Sequence, residues 1–174
     1  DALPPSYSVF GPAALAGRIA DLARRFPQVV VKVPDSAGSQ GNVRIRSADI
    51  EGWPLATVRQ WILDSLRGRG WSDIYPLLVG VWEGAVLHSP SVNLWIPAPD
   101  GGLPVIEGIF MQTLQGPEGT FVGAEPSDLP EPVETRLAGE ALALGYLLQR
   151  LGYFGRCGFD AVLVGASVDD AELH

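Results

Sequence analysis

Three stretches of this chain carry apolar residues at helical spacing, and the strands between them come in runs rather than singly. Leu15, Ile19, Leu22 and Phe26 predict a first helix from about Pro12 to Phe26. Pro12 suits a first turn and Pro27 suits a stop. Val58, Ile62 and Leu66 predict a second helix, Pro54 to about Arg67, closed by Gly68 and Gly70. Leu137, Ala141, Leu144 and Leu148 predict a third, Glu134 to Leu151. Strands are predicted at 28–33, 43–46, 76–82, 91–96 and 108–114, near Phe121, and at 159–164. Residues 1–10 read as a lead-in loop, 126–132 as a proline-rich linker and 152–158 as a turn. Regular strand–helix–strand alternation is missing. The pattern therefore predicts an α+β fold with largely antiparallel sheets. A boundary near Val79 gives two lobes, 1–78 and 79–174.

Composition narrows the partners. The chain has 174 residues, of which 47% are hydrophobic and 18% charged, so a packed core is expected. The net charge is −8 and the pI about 4.6, which argues against nucleic acid, since phosphate neutralisation needs a basic surface. No apolar run is long enough to span a membrane. A single cysteine, Cys157, cannot form an internal disulfide, so a cytoplasmic setting is expected. The chain does not begin with Met, and a piece of a larger protein is the expectation. Its oligomeric state stays open, homo-oligomer included.

Lys32 is the one lysine among twelve Lys and Arg residues. It ends a β-branched run, Val29-Val30-Val31, and precedes Asp35-Ser36-Ala37-Gly38-Ser39-Gln40-Gly41-Asn42. Phosphate groups need positive charge and many N–H donors at close range, and glycine lets backbone approach a ligand. Lysine is a flexible point charge that can reach phosphate oxygens. The loop is not a Walker A motif, because the lysine precedes the turn. A plain hairpin connection with a solvated lysine is the alternative.

Asp160 falls in the otherwise apolar run 159–164. A carboxylate in such a strand is costly unless paired or metal-bound, and Mg²⁺ takes carboxylates together with substrate phosphates. The alternative is an exposed Asp, or one paired with Arg156. The strand ending in Val79, Gly80, Val81 and Trp82 offers an apolar wall and backbone groups of the kind that read an adenine ring, or is an ordinary core strand. His88, Ser89, Ser91 and Asn93 are polar groups available to a substrate. A serine hydrolase is set aside because no nucleophile elbow is present, and a Cys/His metal cluster is excluded by count.

The order of these features resembles the ATP-grasp superfamily of ligases, from about Phe10 to His174. Val-Lys32-Val-Pro with Gly38-Ser39-Gln40-Gly41 is similar to the family's phosphate loop. Leu-Gly-Tyr-Phe-Gly-Arg156-Cys-Gly-Phe-Asp160 is similar to its first metal-ligand strand. The resemblance implies a two-lobed fold, each lobe a largely antiparallel sheet with packed helices, and ATP and Mg²⁺ as cofactors. It implies that Lys32 contacts the phosphates, that Gly38, Ser39, Gln40 and Gly41 cover them, and that Val79, Gly80, Val81 and Trp82 meet adenine. Asp160 would be the first Mg²⁺ ligand, and Arg156 would approach the γ-phosphate.

Family members often carry an acidic residue at the hinge, where this chain has Val79-Gly80, with Glu83 following. The second metal motif, Glu followed two residues later by Asn, is expected beyond His174. The implied reaction is activation of a small-molecule carboxylate as an acylphosphate, followed by attack of an amine or thiol. The rival reading is a non-catalytic binding or structural domain that keeps the ATP-grasp shape.

Overall fold

The computed structural model describes residues 4–34, 41–116, 119–168 and 170–174. The chain divides into two compact units. One is Asp1–Gly84 with Gln115–Phe121, and the other is Ala85–Leu114 with Val122–His174.

The first unit is a four-stranded antiparallel sheet with two helices. Its strands are β1 (Ser6–Val9), β2 (Gln28–Lys32), β3 (Val43–Arg46) and β4 (Leu77–Val81), in the order β1-β4-β2-β3. Helix α1 spans Pro12–Ala23 and α2 spans Leu55–Gly68. Strand alternation sends Val9, Val29, Val31, Val43, Ile45, Leu77 and Val79 to one side. There they form one core with Leu15, Ile19 and Leu22 of α1 and Val58, Ile62 and Leu66 of α2. Each such side chain stabilises by roughly 1.5–3 kcal/mol when fully buried.

Two boundaries differ from expectation. Residues 6–9, expected as loop, form β1, because they pair with β4 in register from Ser6↔Gly80 to Val9↔Leu77. Only the partner strand defines them as a strand. Helix α1 stops at Ala23, and the amides of Arg25 and Phe26 both turn back to the Leu22 carbonyl.

The second unit is built on β6 (Pro90–Ile96), β7 (Val105–Gln115), β8 (Thr120–Pro126) and β9 (Gly155–Asp160), in the order β8-β7-β6-β9. A smaller sheet joins β5 (Val86–His88), β10 (Leu163–Val164) and β11 (Glu172–Leu173). Helix α3 (Glu131–Arg150) covers one face of the larger sheet. Val92, Leu94 and Ile96 of β6 meet Val133, Leu137 and Ala141 of α3 in the core.

Helix α3 begins three residues earlier than expected, inside the proline-rich stretch. Pro130 is its N-cap and Pro132 lies in the first turn, where a missing N–H costs nothing. Its buried stripe is Val133, Leu137, Ala141, Gly145 and Gln149, so Leu144, expected in the core, is exposed. The reason is close packing. A Cβ on Gly145 would stand 3.1 Å from Leu94 Cδ2 and 3.4 Å from Pro104 Cβ. Gln149 is 4% exposed and donates from Nε2 to the carbonyls of Pro97 (3.0 Å) and Gly102 (2.8 Å). The expected turn at 152–158 is also corrected, since β9 begins at Gly155 and pairs with β6 from Ile96↔Gly155 to Ser91↔Asp160.

Candidate functional site

The predicted site residues fall into two groups, one in each unit. In the first, Lys32 ends β2 opposite Leu78 and is exposed. Alternation turns Lys32, Val30 and Gln28 away from the side that carries the helices, together with Arg44 of β3 and Gly80 of β4. Gly80 permits a close approach, since a Cβ there would lie 3.3 Å from Ser6 Cβ and 3.4 Å from the Pro5 carbonyl oxygen. Gly41 is buried. Gly38, Ser39 and Gln40 lie outside the described residues.

The segment Val79 to Trp82 is arranged differently from expectation. Val79 points into the core, and β4 is an inner strand of its sheet. The Val81 amide donates to the Pro5 carbonyl and the Trp82 amide to the Gln28 carbonyl, both at 3.1 Å. These two N–H groups, expected to face a ring, are satisfied by neighbouring strands. Trp82 instead presents its indole to the Arg44 guanidinium, 5.2 Å from the ring centroid. The Arg44 Nε in turn donates to Gln28 Oε1. Lys32 and Val81 stand at opposite ends of the β2–β4 ladder, about 10 Å apart at a strand rise of about 3.3 Å per residue.

In the second unit the outward face of the larger sheet carries the predicted polar residues of β6 and β9. Strand β6 alternates cleanly, with Val92, Leu94 and Ile96 buried and Asn93 and Trp95 exposed. Opposite them on β9 lie Asp160 against Ser91, Gly158 against Asn93 and Arg156 against Trp95. Asp160 therefore ends its strand on the outward face, exposed. The expectation of a carboxylate confined in an apolar strand is corrected by this register. Its Oδ1 accepts a 2.8 Å hydrogen bond from Gln112 Nε2.

Arg156 pairs with Glu107 instead of Asp160, with Nε 3.1 Å from Oε2. Asn93, Glu107, Phe110, Arg156, Cys157 and Gly158 line a cavity of about 500 Å³ on this face. Desolvation raises the Cys157 thiol above its usual range.

Glu107, Phe110 and Gln112 escaped sequence reasoning. The available signal was Gly108, an isolated glycine in a predicted strand, which suggests a bulge or close packing. Among the described residues no group of three His, Cys, Asp or Glu side chains clusters around a metal position, and no helix is long and apolar enough to cross a membrane.

No protein-family model matches the chain, and no curated protein sequence matches it significantly. Solved structures do match. A biotin carboxylase–β,γ-ATP complex from Campylobacter jejuni is 17% identical with a TM-score of 0.66, covering 93% of this chain and 34% of that one. The biotin carboxylase domain dimer of Hydrogenobacter thermophilus 2-oxoglutarate carboxylase, in complex with MgADP, ADP and bicarbonate, is 14% identical. Its TM-score is 0.68, covering 99% of this chain and 35% of that one. D-cycloserine synthetase is 14% identical with a TM-score of 0.62, covering 99% and 56%. At these identities the likeness shows the fold, which is the α+β architecture of the ATP-grasp proteins. The chain spans between about a third and just over half of these solved chains.

Proposed function

We propose that this chain is the ATP- and Mg²⁺-binding region of an ATP-dependent ligase that joins a carboxylate to an amine or thiol. The observation that carries the reading is the pairing of this fold with two exposed, oppositely charged side chains at the motif positions, Lys32 ending β2 and Asp160 ending β9. Proteins of the same fold have been solved with ATP, ADP and MgADP.

In this reading Lys32 contacts the nucleotide phosphates and Gly38, Ser39, Gln40 and Gly41 cover them. Gly80 and Trp82 line the adenine side. Asp160 would hold Mg²⁺, which supplies charge neutralisation at the phosphates. Arg156 adds positive charge on the same outward face as Asp160. A carboxylate oxygen attacks the terminal phosphorus, the bond to ADP breaks, and an acylphosphate forms. The amine or thiol then attacks the acyl carbon and inorganic phosphate leaves. For such a transfer the protein supplies mainly position and charge. A cytoplasmic setting, where ATP is abundant, belongs to this reading.

Calorimetry of ATP–Mg²⁺ binding, with Lys32→Ala as comparison, tests the nucleotide site. Trapping by hydroxylamine tests the acylphosphate, which yields a hydroxamate. A full-length protein that binds no nucleotide would overturn the reading in favour of a non-catalytic domain of the same shape.

A further inference from the structure

Three backbone features of the second unit converge on the cavity beside Arg156. First, the β6–β7 register shifts between Asn93↔Gly108 and Leu94↔Ile106, so Glu107 is an extra, bulged residue. Bulges re-aim side chains, and this one brings Glu107 to Arg156 on the outward face. Second, a Cβ on Gly108 would stand 2.7 Å from Phe110 Cε2, so glycine leaves the Phe110 ring free to fold back along its own strand. Third, a Cβ on Gly158 would stand 3.0 Å from Asn93 Oδ1, so glycine gives the Asn93 amide its seat. Glycine inside a strand weakens it and marks a close approach, and here it occurs twice around one cavity.

The result is a cavity of about 500 Å³ with four different walls. Arg156 supplies a cation, Glu107 an anion, Asn93 a neutral amide and Phe110 an apolar surface. The Arg156–Glu107 pair is 79% and 35% exposed. An exposed pair of this kind contributes about 0–1 kcal/mol, so a ligand that offers both charges can replace each partner at little cost. Arg156 uses Nε toward Glu107, and the rest of its planar fork suits a carboxylate.

We infer that this cavity binds an α-amino acid in its zwitterionic form. The carboxylate lies on Arg156, the ammonium on Glu107, and the side chain rests against Phe110. This rests on the ligase reading and names its substrate class. A carboxylate without an amine leaves Glu107 unanswered, and an amine without a carboxylate leaves Arg156 unanswered. Either therefore binds more weakly than the molecule carrying both.

The test is binding of L-alanine, D-alanine and L-phenylalanine to the chain by calorimetry, against propionate and ethylamine, with and without ATP–Mg²⁺. At least one amino acid should bind tenfold or more tighter than both singly charged analogues. Glu107→Gln should reduce that amino acid to the level of propionate, and Gly158→Leu should abolish binding by filling the cavity. Glu140→Gln, on the exposed side of α3, should change nothing. Equal binding of amino acids and propionate overturns the inference, as does absence of amino-acid binding in protein that binds ATP–Mg²⁺. Preference for the zwitterion without nucleotide binding would keep the cavity assignment and remove the ligase reading. Thermal melts of each variant separate loss of binding from loss of fold.

Discussion

Gln112 on β7 reaches over β6 and donates a 2.8 Å hydrogen bond to Oδ1 of Asp160 on β9. The bond fixes one carboxylate oxygen on the outward face and orients the other. Groups that orient a metal-binding side chain typically carry about tenfold or more in affinity. In the proposed Mg²⁺ site, Asp160→Ala should abolish the Mg²⁺-dependent part of ATP binding, and Gln112→Ala should weaken it about tenfold. Both positions are on the outward face, so melting temperatures should stay within the change expected of about 0.5 kcal/mol. Calorimetry with and without Mg²⁺ checks this. Equal ATP affinity in wild type and Asp160→Ala would remove Asp160 from the site.

Lys32 is exposed at the end of β2, so its removal should not cost core packing. Lys32→Ala should leave the melting temperature unchanged. It should weaken ATP binding about tenfold or more, matching a charge-assisted hydrogen bond of about 1.5–3 kcal/mol. With the lysine on the α- and β-phosphates, ADP should lose about as much as ATP, and AMP less. A uniform loss across the three nucleotides would place it elsewhere on the ligand.

Much of this architecture was legible before the structure. Residues 91–96 read as a strand, and β6 spans Pro90–Ile96. Leu15, Ile19 and Leu22 gave α1, and Val58, Ile62 and Leu66 gave α2. What escaped depends on partners distant in sequence. Strand β1 exists through its ladder to β4. The first four residues of β9 look like a turn because Gly155 and Gly158 are local turn signals, yet β6 pairs with all six residues of the strand.

The site was legible only by position. In sequence Asp160 reads either as a costly charge in an apolar run or as an exposed residue, and its register against Ser91 gives the second. Glu107 reaches Arg156 through a bulge that is defined only when β7 lies against β6. Neither the bulge nor the folded-back Phe110 ring has a local signature beyond Gly108.

Gln149 holds the segment after β6 to the end of α3. Its side chain is buried, and its amide serves the carbonyls of Pro97 and Gly102. Gln149→Ala should leave those acceptors without their donor and destabilise the fold by about 1–3 kcal/mol. Gln149→Glu should cost at least as much at neutral pH, since a carboxylate would face carbonyl oxygens. Urea titration of the three proteins measures the difference. Unchanged stability in Gln149→Ala would mean that water replaces the amide without penalty.

The two glycines of α3 should respond in opposite directions. Nothing lies within 4 Å of a Cβ placed on Gly139, while Gly145 faces Leu94. Gly139→Ala should stabilise by about 0.5–1 kcal/mol through helix propensity. Gly145→Leu should destabilise by about 1–3 kcal/mol through overpacking against the sheet. The same sign of change at both positions would contradict the close seating of the helix.

Alkaline pH should weaken the fold through two groups whose ionisation burial opposes. Desolvation raises the Cys157 thiol, and desolvation followed by the Asp73 charge raises the Tyr75 phenol. The Tyr75 hydroxyl is buried with no hydrogen-bond partner among the described residues, and its ring meets Trp71 edge-on at 5.4 Å. A group whose folded pKa exceeds its unfolded one holds its proton longer in the folded state. Its stabilising effect is complete below the unfolded pKa, about 8.5 for a thiol and about 10 for a phenol. It is lost as pH rises through the folded value. The melting temperature should thus fall from pH 8 upward, first through Cys157 and then through Tyr75. Cys157→Ala should flatten the first part and Tyr75→Phe the second. Tyr75→Phe should also leave stability at pH 7 unchanged or raised, because it removes a desolvated hydroxyl and keeps the ring against Trp71. A Tyr75→Phe protein clearly weaker at pH 7 would show that the hydroxyl has a partner after all.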